Sequence, residues 1–228
     1  MQPSNNGPPL CARCEKNPGT EKYHLSQDTE MICAACLEQE TLRAQFQQDM
    51  YHFFELERSR QYDEALAFLD RLLEANRNRD HDGWLARSIA HSRAIAIFRA
   101  GRYAEAEHAY NEWARLGFAD GYERWMHALG KAETLEALGR DQEAVALLQE
   151  ALGYEDPKSL PSVLSVLIEL VRFSEKVGQA FDSKWLKIAE AVAERYGVDM
   201  PVRDSPGQAV LALEQAVRGK QPKRPDEW

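Results

Sequence analysis

One phrase recurs along the chain and governs what it can fold into. It reads "SRQYDEALAFLDRLLE" from Ser59, "AGRYAEAEHAYNEWAR" from Ala100, "LGRDQEAVALLQEALG" from Leu138 and "VGQAFDSKWLKIAEAVAE" from Val177. Each copy couples a tight turn to a segment whose apolar residues return every three or four positions, the period of an amphipathic helix. The turn positions are Arg60, Gly101, Gly139 and Gly178, spaced by 38 to 41 residues. Another helical segment of similar length precedes each copy. A single helical hairpin cannot bury its own apolar face, so hairpins of this kind stack on one another. The pattern predicts an all-α chain beyond residue 40.

The phrase resembles the tetratricopeptide repeat (TPR), most closely at "GRYAEAEHAY". There Gly101 gives the turn, Tyr103 opens the second helix, Ala106 is small where helices cross and Tyr110 fills the next gap. Tyr62, Ala65 and Leu69 are the counterparts in the first copy. Ala144 and Leu148 hold their places in the third, with Asp141 where tyrosine is usual, and Phe181 comes one position late in the fourth. The resemblance implies a TPR-like α-solenoid of about four helical hairpins. The spacing exceeds the usual value of about 34, which predicts longer connections at Asn76–Trp84 and Gly153–Pro161, with Ser159 and Pro161 opening the next helix. Ser205 and Pro206 open a last, capping helix. The expected organisation is a metal module over residues 1–40, repeats over 41–218 and a tail over 219–228.

Counting back from each turn residue gives the line that the first helix of each hairpin turns toward a groove. Ten positions back stand Met50, His91, Leu129 and Ile168; six back, Phe54, Ile95, Glu133 and Arg172; three back, Glu57, Phe98, Glu136 and Glu175. The face is apolar and acidic, and His91, Glu133, Glu136 and Arg172 are its candidate partner-binding residues.

All four cysteines lie near the N-terminus as two CxxC pairs, Cys11/Cys14 and Cys33/Cys36. A two-residue gap lets both sulfurs of a pair face one ion, and two pairs complete a closed four-thiolate site that favours zinc and has a structural role. Asn17–Thr20 reads as a turn, "KYHLS" and "EMIC" as a short hairpin, and the second pair stands at a helix start, where the dipole favours thiolate. A redox CxxC would need a βαβ context, and two disulfides an oxidising compartment. His24, between the pairs, reads as a surface residue. The stretch resembles the N-terminal zinc modules of McsA-type activators of bacterial Clp proteases: CxxC, a Lys-Asn-Pro-small turn from Lys16 to Gly19, then an apolar residue and CxxC. That resemblance covers about thirty residues and implies a zinc ion and a treble-clef arrangement.

The net charge of −9 disfavours nucleic-acid binding, because an acidic surface repels phosphate. No apolar run is long enough to span a membrane. The first residues lack the basic and apolar regions of a secretory signal, which predicts a cytoplasmic protein with reduced thiols. Phosphate-loop, dinucleotide, zinc-protease and nucleophile-elbow motifs are absent from the sequence, and His52, His81, His91, His108 and His127 are scattered. These features predict a non-enzymatic scaffold that binds a basic protein through its groove, as a bacterial adaptor or an immunity protein. The alternative is a nucleic-acid-associated regulator acting through the zinc module.

Overall fold

The computed structural model describes residues 11–14, 19, 21–25, 28–153 and 160–221, with only the backbone described at 21–25, 28–30 and 160–162. The Asn17–Thr20 turn apart from Gly19, the side chain of His24, residues 154–159 with the Ser159 cap, and the end of the tail lie outside that description. The fold is all-α and TPR-like. Among the described residues a two-stranded antiparallel hairpin, β1 (Glu21–Leu25) and β2 (Asp28–Ile32), precedes nine α-helices: α1 (Ala34–Arg58), α2 (Tyr62–Asn76), α3 (Trp84–Arg99), α4 (Tyr103–Arg115), α5 (Gly121–Ala137), α6 (Asp141–Leu152), α7 (Leu160–Lys176), α8 (Leu186–Arg195) and α9 (Pro206–Val217). The chain divides into two compact units, one ending at Ile89 and one beginning at Ala90.

The four turns of the repeated phrase share one geometry. Arg60, Gly101, Gly139 and Gly178 have φ of 58°, 76°, 74° and 69°, in the left-handed region. At each, the left-handed residue's N–H donates to the carbonyl three residues back, and the next N–H donates to the carbonyl five back: Arg60 to Glu57 and Gln61 to Leu56, Gly139 to Glu136 and Arg140 to Leu135. This is the Schellman closure of a helix C-terminus, which satisfies carbonyls that would otherwise lack donors. Glycine takes that φ without steric cost, whereas Arg60 takes it against its Cβ. In the first three turns the second helix starts two residues later, at Tyr62, Tyr103 and Asp141. In the fourth it starts late: Asp182 accepts from the Lys184 N–H at 2.9 Å and caps a short 3-10 helix, Ser183–Trp185, which leads into α8. Phe181 is thereby free to pack on the core.

In the first unit α1 runs unbroken from the cysteine pair to the first turn and packs on α2. Leu42, Phe53, Ala65 and Leu69 are buried. Asp80 accepts from the N–H groups of Leu85 and Ala86, and Asp82 from that of Trp84, so the connection before α3 caps it. Arg43 of α1 holds Asp82 at 2.7 Å and lies 5.4 Å over the Trp84 ring.

In the second unit Trp125, Leu148, Leu167, Val192, Val210 and Leu213 share one core. The Trp125 indole N–H donates to the Ala151 carbonyl at 3.1 Å. Ser205 caps α9 by accepting from Gln208, with Pro206 in the first turn. The helix packs on α7 and α8 and covers their apolar faces.

Candidate metal centre and interaction face

Cys11 and Cys14 precede the hairpin, and Cys33 is the extended residue (φ −81°, ψ 159°) that precedes α1. The Cys33 side chain makes no capping bond, so its sulfur is directed by packing. The Ala12 N–H donates to the Met31 carbonyl at 3.0 Å, which ties the first pair to β2. A Cβ on Gly19 would stand 2.9 Å from that same carbonyl oxygen, so only glycine fits there. Cys11, Ile32 and Cys33 are buried, with Cys14, Cys36 and Leu37 packed against them.

The result is a single cluster. The four sulfurs all lie within 4.8 Å of one another, and they are not joined in disulfides. Burial acts to raise the pKa of Cys11, but the amide groups of Cys33, Cys14 and Arg13 outweigh it and bring the thiol down to about 6. Burial, and then the neighbouring thiols Cys33, Cys11 and Cys14, push Cys36 far above the ordinary thiol range. Thiols this crowded cannot all ionise side by side; a divalent cation removes that conflict. The donor set therefore fits a metal ion, and the ligands anticipated from the spacing are the ones brought together.

The second candidate region lies in the second unit. His91 of α3 stacks on Trp113 of α4, with ring centres 4.4 Å apart and 24° between planes. Trp113 and Tyr110 in turn meet the ring of His127, whose Nε2 lies 3.0 Å from the Tyr110 carbonyl oxygen. Burial lowers the pKa of His91, and lowers that of His127 to about 4. Tyr110 reaches this nest across α5 because residue 130 is glycine: a Cβ there would stand 2.2 Å from the tyrosine hydroxyl.

Beside the nest is a recess of about 420 Å³, lined by Ile95, Phe98, Leu129, Ile168, Glu133 and His91 among others. Of the line counted back from the turns, the recess brings together His91, Ile95 and Phe98 of α3, Leu129 and Glu133 of α5 and Ile168 of α7, and not Glu136, Arg172 or Glu175. In the first unit it differs: Met50 and Glu57 are buried and Phe54 is 48% exposed. Glu133 is accessible at the recess, yet desolvation, then the carboxylates of Glu169 and Glu136, raise its pKa above the ordinary range, against the pull of Arg172 and Arg99.

Glu136 and Arg172 are placed differently from Glu133. The Arg172 guanidinium grips Glu136 with two bonds, at 2.8 and 2.9 Å, and donates to Glu169 at 2.7 Å. Lys176 adds bonds to Glu136 and Asp141, at 2.9 and 2.8 Å. Hydrogen bonds from Arg172 outweigh burial and, with Lys176, hold the Glu136 carboxyl down to about 2. Glu136 and Arg172 hold α5 to α7, and Lys176 ties α7 to the start of α6 through Asp141, so the charges of Glu136 and Arg172 are already matched within the protein.

Sequence reasoning missed the aromatic nest and Gly130. A glycine in the middle of an amphipathic helix was the available signal.

No protein-family model matches the chain, and no curated protein matches it. Two crystal structures do resemble it. Both are of a Podosopora anserina protein described as a candidate kinesin light chain with nearly identical TPR-like repeats, one being a single-substitution variant. Each is 18% identical to this chain, covers 75% of it and 86% of its own length, and superposes with a TM-score of 0.51. At that identity the likeness is one of fold, and it establishes the TPR-like repeat architecture. Among the described residues no helix is long and apolar enough to cross a membrane.

Proposed function

We propose that the protein is a non-enzymatic interaction scaffold that carries a structural zinc ion and binds a basic protein partner. The observation that carries the reading is the convergence of His91, Leu129 and Ile168, from the first helices of three successive hairpins, on one recess. Stacked helical hairpins present such residues in register, and recessed apolar surface with a few charged groups is the ordinary anatomy of a recognition site. Cys11, Cys14, Cys33 and Cys36 hold the zinc. Four thiolates suit zinc over harder cations and leave no open coordination position, so the ion supplies folding energy to the 1–40 module rather than chemistry. Zinc–thiolate binding needs reduced cysteines, which suits the cytoplasm. The acidic chain favours a basic protein and disfavours nucleic acid.

The reading serves an adaptor or an immunity protein, and a toxin gene immediately upstream of the protein's own would select the second. The test is capture of partners from the native host by the full chain and by a Leu129→Arg variant with an unchanged helical circular dichroism signal. The native chain should retain a protein that the variant loses. A partner retained equally by both would overturn the reading.

A further inference from the structure

Three charged side chains line the recess of the second unit, the carboxylates of Glu133 and Glu169 and the guanidinium of Arg99, and Glu169 accepts from Arg172 at 2.7 Å. Glu133 and Arg99 line the recess itself and offset one another in sign. Carboxylates outnumber cations two to one among the residues that line it. Glu169 and Glu136 act on Glu133 from α7 and from its own helix, and Arg172 and Arg99 act from α7 and α3. The surroundings are aliphatic and aromatic, with Ile95, Phe98, Leu129 and Ile168 on the walls. The volume, about 420 Å³, is within the usual range for sites that enclose a side chain or small ligand.

From this juxtaposition, and resting on the proposed scaffold function, we infer that the recess takes a single lysine or arginine side chain of the partner, flanked by aliphatic residues, with Glu133 as its counter-ion. The fit is by charge and by shape together. The aliphatic stem of a lysine or arginine packs on apolar walls while its cationic head reaches a carboxylate. An acidic side chain entering the same space would add a third carboxylate beside one guanidinium in partly desolvated surroundings, which is unfavourable. Glu136, bound to Arg172 and Lys176, is not the contact. The raised proton affinity of Glu133 agrees with this, since an approaching cation would relieve the repulsion that raises it.

The experiment pans displayed random linear peptides against the full chain, then measures the selected peptides against the native protein, Glu133→Gln and Leu129→Arg by fluorescence anisotropy. Selected peptides should carry a lysine or arginine beside aliphatic residues. Their affinity should fall about tenfold in Glu133→Gln, the size of one charge-assisted bond, and should weaken as salt rises. Peptides that lose affinity in Leu129→Arg but are indifferent to Glu133→Gln, or that favour aspartate or glutamate, would overturn the cation assignment and leave the recess as the binding face. Peptides indifferent to both substitutions, or a library that yields none, would overturn both.

Discussion

Replacing Gly130 with alanine should destabilise the protein, against the usual sign. Glycine in a helix interior is worse than alanine by about 1 kcal/mol, and residue 130 lies well inside α5. A Cβ there would sit 2.2 Å from the Tyr110 hydroxyl oxygen, 2.6 Å from Cζ and 2.9 Å from Cε1. Ordinary contact needs about 3.5 Å, so the ring must shift by roughly 1 Å. It has little room, because Tyr110 is 2% exposed and lies against the rings of Trp113 and His127. Overpacking of this kind costs about 1–3 kcal/mol, and more where the neighbour is forced out of its site. After the helix-propensity gain of about 1 kcal/mol, urea unfolding should show a net loss of up to about 2 kcal/mol. The decisive arm repeats the substitution in a Tyr110→Ala background. With the ring gone, Gly130→Ala should stabilise that variant by about 0.5–1 kcal/mol. A stabilising effect in the native background, or the same sign in both, would refute the reasoning.

Three further outcomes are expected. Arg60→Gly should stabilise the first hairpin by about 0.5–1 kcal/mol, because it relieves a left-handed residue at some cost in unfolded-state entropy; thermal unfolding reads it, and a lower midpoint would count against the turn assignment. Burial depresses His127 to about 4 in the folded protein, below the ordinary value of about 6.5. The unfolded chain therefore binds the extra proton first, and stability present above about pH 6.5 should fall by roughly 3 kcal/mol as pH drops toward 4. His91 acts in the same direction, and a His127→Gln variant should flatten the slope in chemical denaturation. Protein purified without added metal should contain about one zinc per chain by elemental analysis, and Cys33→Ser should abolish it while most helical signal from the second unit persists; a folded, metal-free protein with two disulfides would contradict this.

The parts legible in the sequence are those that a backbone demands of particular residues. A left-handed turn needs glycine, and three of the four turns advertise one, so the repeat pattern located Arg60 by position alone. Two CxxC pairs gave the cluster because the spacing itself brings sulfurs together. The network of Glu136, Arg172 and Lys176 was not legible. Those residues meet across 36 and 40 positions of sequence, and periodicity assigns a face without assigning partners on it. Two residues read as open to a partner are thus satisfied within the protein. The late start of the fourth hairpin escaped for a related reason: Asp182 competes for the role of helix start, and side-chain capping of this kind is only weakly periodic.

The four thiols all lie between Cys11 and Cys36, and the helix beginning beside them leads straight into the first hairpin. During synthesis that stretch leaves the ribosome before any later hairpin has been made, and chains assemble from the N-terminus as they emerge. With a metal bound as proposed, the cluster would close before the later hairpins emerge and give the first hairpin a settled end to fold against. A chain released early at any later turn would carry the same four thiols, so with the proposed metal bound, metal content alone would not tell it from a chain that continues further.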